Sequence, residues 1–170
     1  MKPILLSLAL LAMTMQAGAE KVKISTPNTT MVLDINKGAE PKFLYYGASL
    51  TMGDIANLQV PNDENWSRAE IYPAYGANHT QSETCLAMRH GDGNLSTNLL
   101  VSDYNVKPLA DKAPNGNPRE GTLLTVTLKD PVYPTTVNLY YFAYKDVDMI
   151  ESWTDITNGE KKTVTLNARS

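Results

Sequence analysis

The sequence predicts an all-β protein, an antiparallel β-sandwich, and three observations carry that expectation. Apolar and polar residues alternate with a period of two over much of the chain. Turn-forming Gly, Pro, Asn and Asp punctuate the alternation at short intervals. Beyond residue 19, no stretch has a helical period with a cap at each end. Many short strands divided by explicit turns are the signature of packed antiparallel sheets.

The elements follow in chain order. Lys21–Ser25, residues 30–35 and residues 43–48 are the first strand candidates. "ETCLAMRH" and "LSTNLLVSDYNV" flank "HGDGN", where Asp92-Gly93 suits a tight hairpin. Leu124, Val126 and Leu128 alternate with Thr125, Thr127 and Lys129, the pattern of a half-buried strand. A "DPVYP" turn leads into Val137, Leu139, Tyr141 and Ala143, spaced by two again. Residues 149–156 and 163–166 complete the set, and Asn158-Gly159 predicts a second tight hairpin between them. Two segments break the rhythm. Residues 110–120, "ADKAPNGNPRE", read as a long hairpin tip, and residues 52–80 as a long loop. Structureless loops of that length in compact domains tend to be functional.

The start "MKPILLSLALLAMTMQAGAE" has a basic Lys2, an apolar run over residues 4–15 and an Ala17-Gly18-Ala19 site. That pattern predicts a secretory signal peptide, residues 1–19, and a secreted or periplasmic product. The run falls short of the roughly 20 apolar residues that span a bilayer. Residues 20–170 are then one domain, long enough for its own core. Removing Lys2 takes the formal charge from −3 to −4, and no basic block occurs, so neither nucleic acid nor a membrane is an expected partner. Cys85 is the sole cysteine, which excludes an intramolecular disulfide. It reads as a small buried or half-buried side chain. The chain stops at "KKTVTLNARS" while a strand pattern is still running, which reads as a domain cut short.

Reactive chemistry is sparse. His79, Cys85 and His90 are the only soft metal-ligand candidates, and the five-residue step from Cys85 to His90 puts them on opposite faces of a strand. No metal and no cofactor are expected. No G-x-S-x-G elbow occurs, and no nucleophile–base pair is legible, so no catalytic residue is assigned. Carboxylates abound (Glu70, Glu83, Asp92, Asp103, Glu151, Asp155), but spacing alone cannot pair them for glycoside chemistry. Asp92 before Gly93 is explained by turn chemistry. In the long loop, Trp66 is open as a sugar-stacking ring, whereas Tyr72 and Tyr75 around Pro73 read as pins holding the loop to the sandwich.

Four segments in order, "AEIYPAYG", "AMRHGDGNLST", "LKDPVYPTTVNLYYFAY" and "IESWTDITNGEKKTVTL", resemble the N-terminal β-domain of glycoside hydrolase family 36 α-galactosidases. The resemblance spans about the whole mature chain. It implies a β-supersandwich ahead of a (β/α)8 barrel that cleaves terminal α-galactosides with retention. Both catalytic aspartates of that family lie in the barrel, outside these 170 residues, so the domain alone is expected to be inactive. The loop after Tyr45-Tyr46-Gly47 would carry an acidic residue to the sugar pocket, often in a neighbouring subunit of a homo-oligomer. Asp63 is the first choice for that substrate-binding role and Asp54 the second, with Trp66 nearby. Two other readings stay open: a free-standing carbohydrate-binding module with Trp66 as its platform, or a structural secreted sandwich.

Overall fold

The computed structural model describes residues 20–59, 69–76, 84–113 and 115–166. Nine strands and one short helix occur among them: β1 (Lys21–Ser25), β2 (Thr29–Asp34), β3 (Lys42–Ala48), α1 (Met52–Asn57), β4 (Met88–Arg89), β5 (Leu100–Lys112), β6 (Pro118–Lys129), β7 (Thr135–Tyr144), β8 (Ile150–Asn158) and β9 (Thr165–Leu166). They form a sheet in the order β1-β2-β3, a larger sheet in the order β5-β6-β7-β8, and a short β4-β9 pair. Every strand pairing is antiparallel.

The alternation in β6 and β7 explains the core. Leu124, Val126 and Leu128 stand opposite Tyr141, Leu139 and Val137, so both rows share one face of the large sheet. Val22 and Ile24 of β1 and Met31 and Leu33 of β2 supply the facing layer, and all four are buried in the same cluster. Burying each such side chain stabilises by roughly 1.5–3 kcal/mol. β5 is an edge strand, which is why Pro108 can sit inside it without breaking a ladder on both sides.

The large sheet also has a second packed face. Phe142 lies opposite the core side of β7 yet is fully buried. Its cover is Arg119 of β6, whose guanidinium carbon sits 4.7 Å from the Phe142 ring centre and 5.4 Å from that of Trp153. Trp153 stacks in turn on Tyr140, 5.0 Å away on the neighbouring strand. Asp111 and Glu151 hold the guanidinium at 2.7 Å each, from β5 and β8.

Three expectations are corrected. The helix α1 was not foreseen, although it has a sequence signature. Thr51 caps it by accepting from the Asp54 amide, and the Asp54 side chain returns to the Thr51 amide. Lys21 and Lys23 fasten the segment to β1 by donating to the carbonyls of Ala56 and Leu50, both at 2.8 Å. Second, Asp92-Gly93 makes a turn, with Gly93 at φ +91°, but not a hairpin. β4 pairs with β9, and the chain after Asn94 is drawn away because Asp130 captures the Asn98 amide at 2.6 Å. Third, β8 does not fold back on β9 at Asn158-Gly159. The Glu160 carboxylate is taken by His90 and the Gly91 amide, which carries the chain across to β4. The 110–120 segment is a hairpin as expected, although its strands run on to Lys112 and resume at Pro118.

Three substitutions test this packing. Leu124→Ala should cost about 3 kcal/mol in urea denaturation, since the side chain is fully buried between sheets. Arg119→Ala should cost about 2 kcal/mol through the lost aromatic contacts and the emptied stem. Asp111→Ala should move the midpoint less, because its carboxylate is partly solvated.

Candidate functional site

Polar side chains with several partners concentrate where loops meet at the sheet ends. The densest group joins the 90–97 segment, the turn before β7 and the loop after β8. His90 is 2% exposed and Thr97 1%. The His90 Nδ1 lies 2.7 Å from Glu160 Oε1, and its Nε2 lies 3.0 Å from Thr97 Oγ1. Because an ionised carboxylate only accepts, Nδ1 carries the proton toward Glu160, and Nε2 pairs with the Thr97 hydroxyl. The Glu160 Oε2 accepts the Gly91 amide at 2.9 Å. These bonds, the one to His90 first, hold the Glu160 carboxyl below its usual range.

Tyr133 roofs the histidine. Its ring stacks on His90 with centres 3.5 Å apart and planes 9° from parallel. Its hydroxyl donates to Asp92 Oδ2 and accepts from Asn94 Nδ2, both at 2.9 Å. Asp130 shapes the turn that carries Tyr133 by accepting the amides of Val132 and Tyr133 at 2.7 and 2.9 Å. Here the "DPVYP" stretch acquires its reason: Asp130 builds the turn and Tyr133 closes the lid.

Thr97, His90 and Glu160 make a hydroxyl–imidazole–carboxylate series of the kind that activates nucleophiles. Its burial argues for a structural role. The hydroxyl is enclosed and the imidazole lies beneath a ring, so a reacting carbonyl cannot reach the oxygen. A similar tie joins the β1–β2 turn to the β7–β8 loop, where Asp148 accepts from Thr26 Oγ1, the Asn28 amide and Asn28 Nδ2 at 2.7 to 2.8 Å. No group of three or more metal-ligating side chains occurs among the described residues.

Of the sequence-predicted sugar contacts, Asp63 and Trp66 lie outside the described residues, as does His79. Asp54 is described and exposed at the third position of α1. Its Oδ2 accepts the Thr51 hydroxyl at 2.6 Å and the Thr51 amide at 2.9 Å, and both bonds hold its carboxyl below the usual range. Tyr72 is packed against the core, whereas Tyr75 is exposed and held through its backbone. Cys85 is exposed rather than half-buried, because the strand expected there shortens to Met88–Arg89. Sequence reasoning missed the His90–Glu160 pair, which stands 70 residues apart and has no local signal.

The fold and these joints define an antiparallel β-sandwich whose polar side chains hold loops together. Comparison with known families then gives the particular one. The glycosyl hydrolase family 36 N-terminal domain matches residues 39–169, and the chain belongs to that family. The fold recurs in α-galactosidase AgaA from Geobacillus stearothermophilus, with a TM-score of 0.69 and 15% identity over 86% of this chain. AgaB from the same organism gives a TM-score of 0.66, 18% identity and 90% coverage. The α-galactosidase from Lactobacillus brevis gives a TM-score of 0.65, 17% identity and 87% coverage. In each case this chain covers 23% of the solved chain. Variants of AgaA have been solved in complex with stachyose and with raffinose. No curated protein matches by sequence.

The clamp has an acid-side consequence. Glu160 remains ionised in the folded protein to a lower pH than in the unfolded chain. Its contribution to stability is therefore complete above the ordinary glutamate range and is lost as pH falls through the depressed value. Thermal melting followed from neutral to strongly acidic pH should show a smaller acid-side decline in Glu160→Gln than in the unaltered protein.

Proposed function

We propose that this chain is the non-catalytic N-terminal domain of a secreted α-galactosidase-like glycoside hydrolase. In the complete protein a catalytic barrel hydrolyses terminal α-galactosides with retention, and the sandwich supports the barrel and lends a loop to the sugar pocket. The observation that carries this reading is the family match over residues 39–169. The α-galactosidases sharing the fold, one of them seen with stachyose and raffinose, support the substrate class. The enclosed Thr97–His90–Glu160 series supports the absence of a reaction centre in the described part of the domain.

The loop role falls to Asp63, with Trp66 beside it and Asp54 as second choice, reaching the sugar of its own or a neighbouring subunit in a homo-oligomer. A carboxylate accepting sugar hydroxyls beside an aromatic face is an economical recognition unit. Asp54 has a competing duty in the α1 cap, which supports placing Asp63 first. Residues 1–19 act as a signal peptide in this reading, and mass spectrometry of the exported protein should find Glu20 at its start.

Kinetics of the complete protein on an aryl α-galactoside test the proposal. Asp63→Ala should lower kcat/KM roughly 10- to 150-fold, the equivalent of about 1.5–3 kcal/mol for one charged hydrogen bond. Its stability should stay within about 1 kcal/mol. Turnover by the purified 170-residue chain alone would overturn the non-catalytic assignment, and unchanged kinetics in both Asp63→Ala and Asp54→Ala would remove the loop from the pocket.

A further inference from the structure

A cleft of about 380 Å³ opens beside the clamp, outside the loop assigned to the sugar pocket. Asp92, Tyr133, Pro134, Glu160, Lys161 and Lys162 line it. From these residues we infer a second saccharide-binding site, one that takes a neutral pyranose.

Three features of the wall carry the inference. The first is acceptor geometry fixed in advance. Asp92 accepts the Asn94 amide at one oxygen and the Tyr133 hydroxyl at the other, both at 2.9 Å. Glu160 is held the same way, by His90 and the Gly91 amide. An ionised carboxylate offers about four acceptor positions, so each keeps capacity after those bonds are made. Carboxylates already locked by their own structure bind hydroxyls without further ordering cost.

The second feature is the charge balance. Two carboxylates and two ammonium groups line the cleft and sum to zero, which disfavours a bare cation or anion. A polyol suits that lining, because each hydroxyl can donate to Asp92 or Glu160 and accept from Lys161 or Lys162. The third is the apolar wall. The half-exposed Tyr133 ring and Pro134 present the flat surface on which the C–H face of a pyranose rests. An apolar wall with a few fixed polar groups is the common make-up of small-molecule sites. The cleft is also closely built: a side-chain carbon on Gly91 would stand 2.4 Å from the Lys162 Cβ, so only glycine lets the two loops meet there.

The site is tested by titrating the isotopically labelled 170-residue chain with methyl α-galactoside, and separately with methyl α-glucoside and lysine methyl ester. Saturable amide shifts confined to Gly91, Gly159, Glu160 and Lys161 are expected with at least one glycoside. Asp92→Asn should weaken that binding about tenfold, the loss of one charge-assisted hydrogen bond. Tyr133→Phe keeps the ring over His90 but releases one oxygen of Asp92, and should weaken the binding by less than Asp92→Asn does. The double variant Lys161→Ala, Lys162→Ala, made at exposed positions, should weaken it with unchanged melting. Absence of saturable shifts with either glycoside, shifts centred elsewhere, or saturation by the lysine ester in their place would overturn the site. Asp63→Ala should leave this binding intact, so failure here and failure of the loop assignment are separate results.

Discussion

The pairing of β6 with β7 is the constraint on which the rest of the molecule depends. Nine residues of each strand are in register, from Gly121 opposite Tyr144 to Lys129 opposite Thr136. That register puts Leu124, Val126, Leu128, Val137 and Leu139 on one face, where β1 and β2 complete the core. A slip by one residue would turn Thr125 and Thr127 inward and expose the whole apolar row. The same register places Phe142 outward, beneath Arg119. A strand with a strict one-sided role thus acquires a second packed face, and Arg119 joins β5, β6 and β8 through Asp111 and Glu151.

With the sheets set by apolar contact, carboxylates set the joints. Asp130 accepts from the amides of Asn98, Val132 and Tyr133. Asp148 gathers Thr26 and Asn28, and Glu160 gathers His90 and Gly91. Each takes amide donors of loop backbones, and at the part-buried joints of Asp130 and Glu160 an unmade hydrogen bond would cost more than the made one gains. These joints fix the corners of the sandwich, and the described residues spend their carboxylates on holding loops. Exposed Asp54 does the same on a smaller scale, closing the capping box at the start of α1.

Much of the architecture was legible because it is local. The two-residue period marked the inward rows of β6 and β7, and the resemblance of four segments agrees with the family match. The hairpins at Asp92-Gly93 and Asn158-Gly159 misled for a physical reason. Turn residues specify a reversal of the chain but not which strand lies beside it afterwards. That choice was made by Asp130 on Asn98 and by Glu160 on His90, contacts across 32 and 70 residues. The helix α1 was overlooked because six residues are too short to display a period, although Thr51 and Asp54 form its capping box. Of the loop residues, Asp63 and Trp66 lie outside the described part, so their assignment rests on the resemblance.

By itself the sequence determined the fold class, the inward rows of β6 and β7, and the family, since each depends on patterns within a few residues of one another. Only the tertiary structure decided that β4 pairs with β9, that Arg119 roofs Phe142, and that His90 is enclosed between Thr97, Glu160 and Tyr133. Those outcomes require residues distant in the chain to compete for the same partners. Side-chain identity does not reveal the winner of that competition; the packed sheets do, by bringing one candidate within hydrogen-bond distance and excluding water from the others.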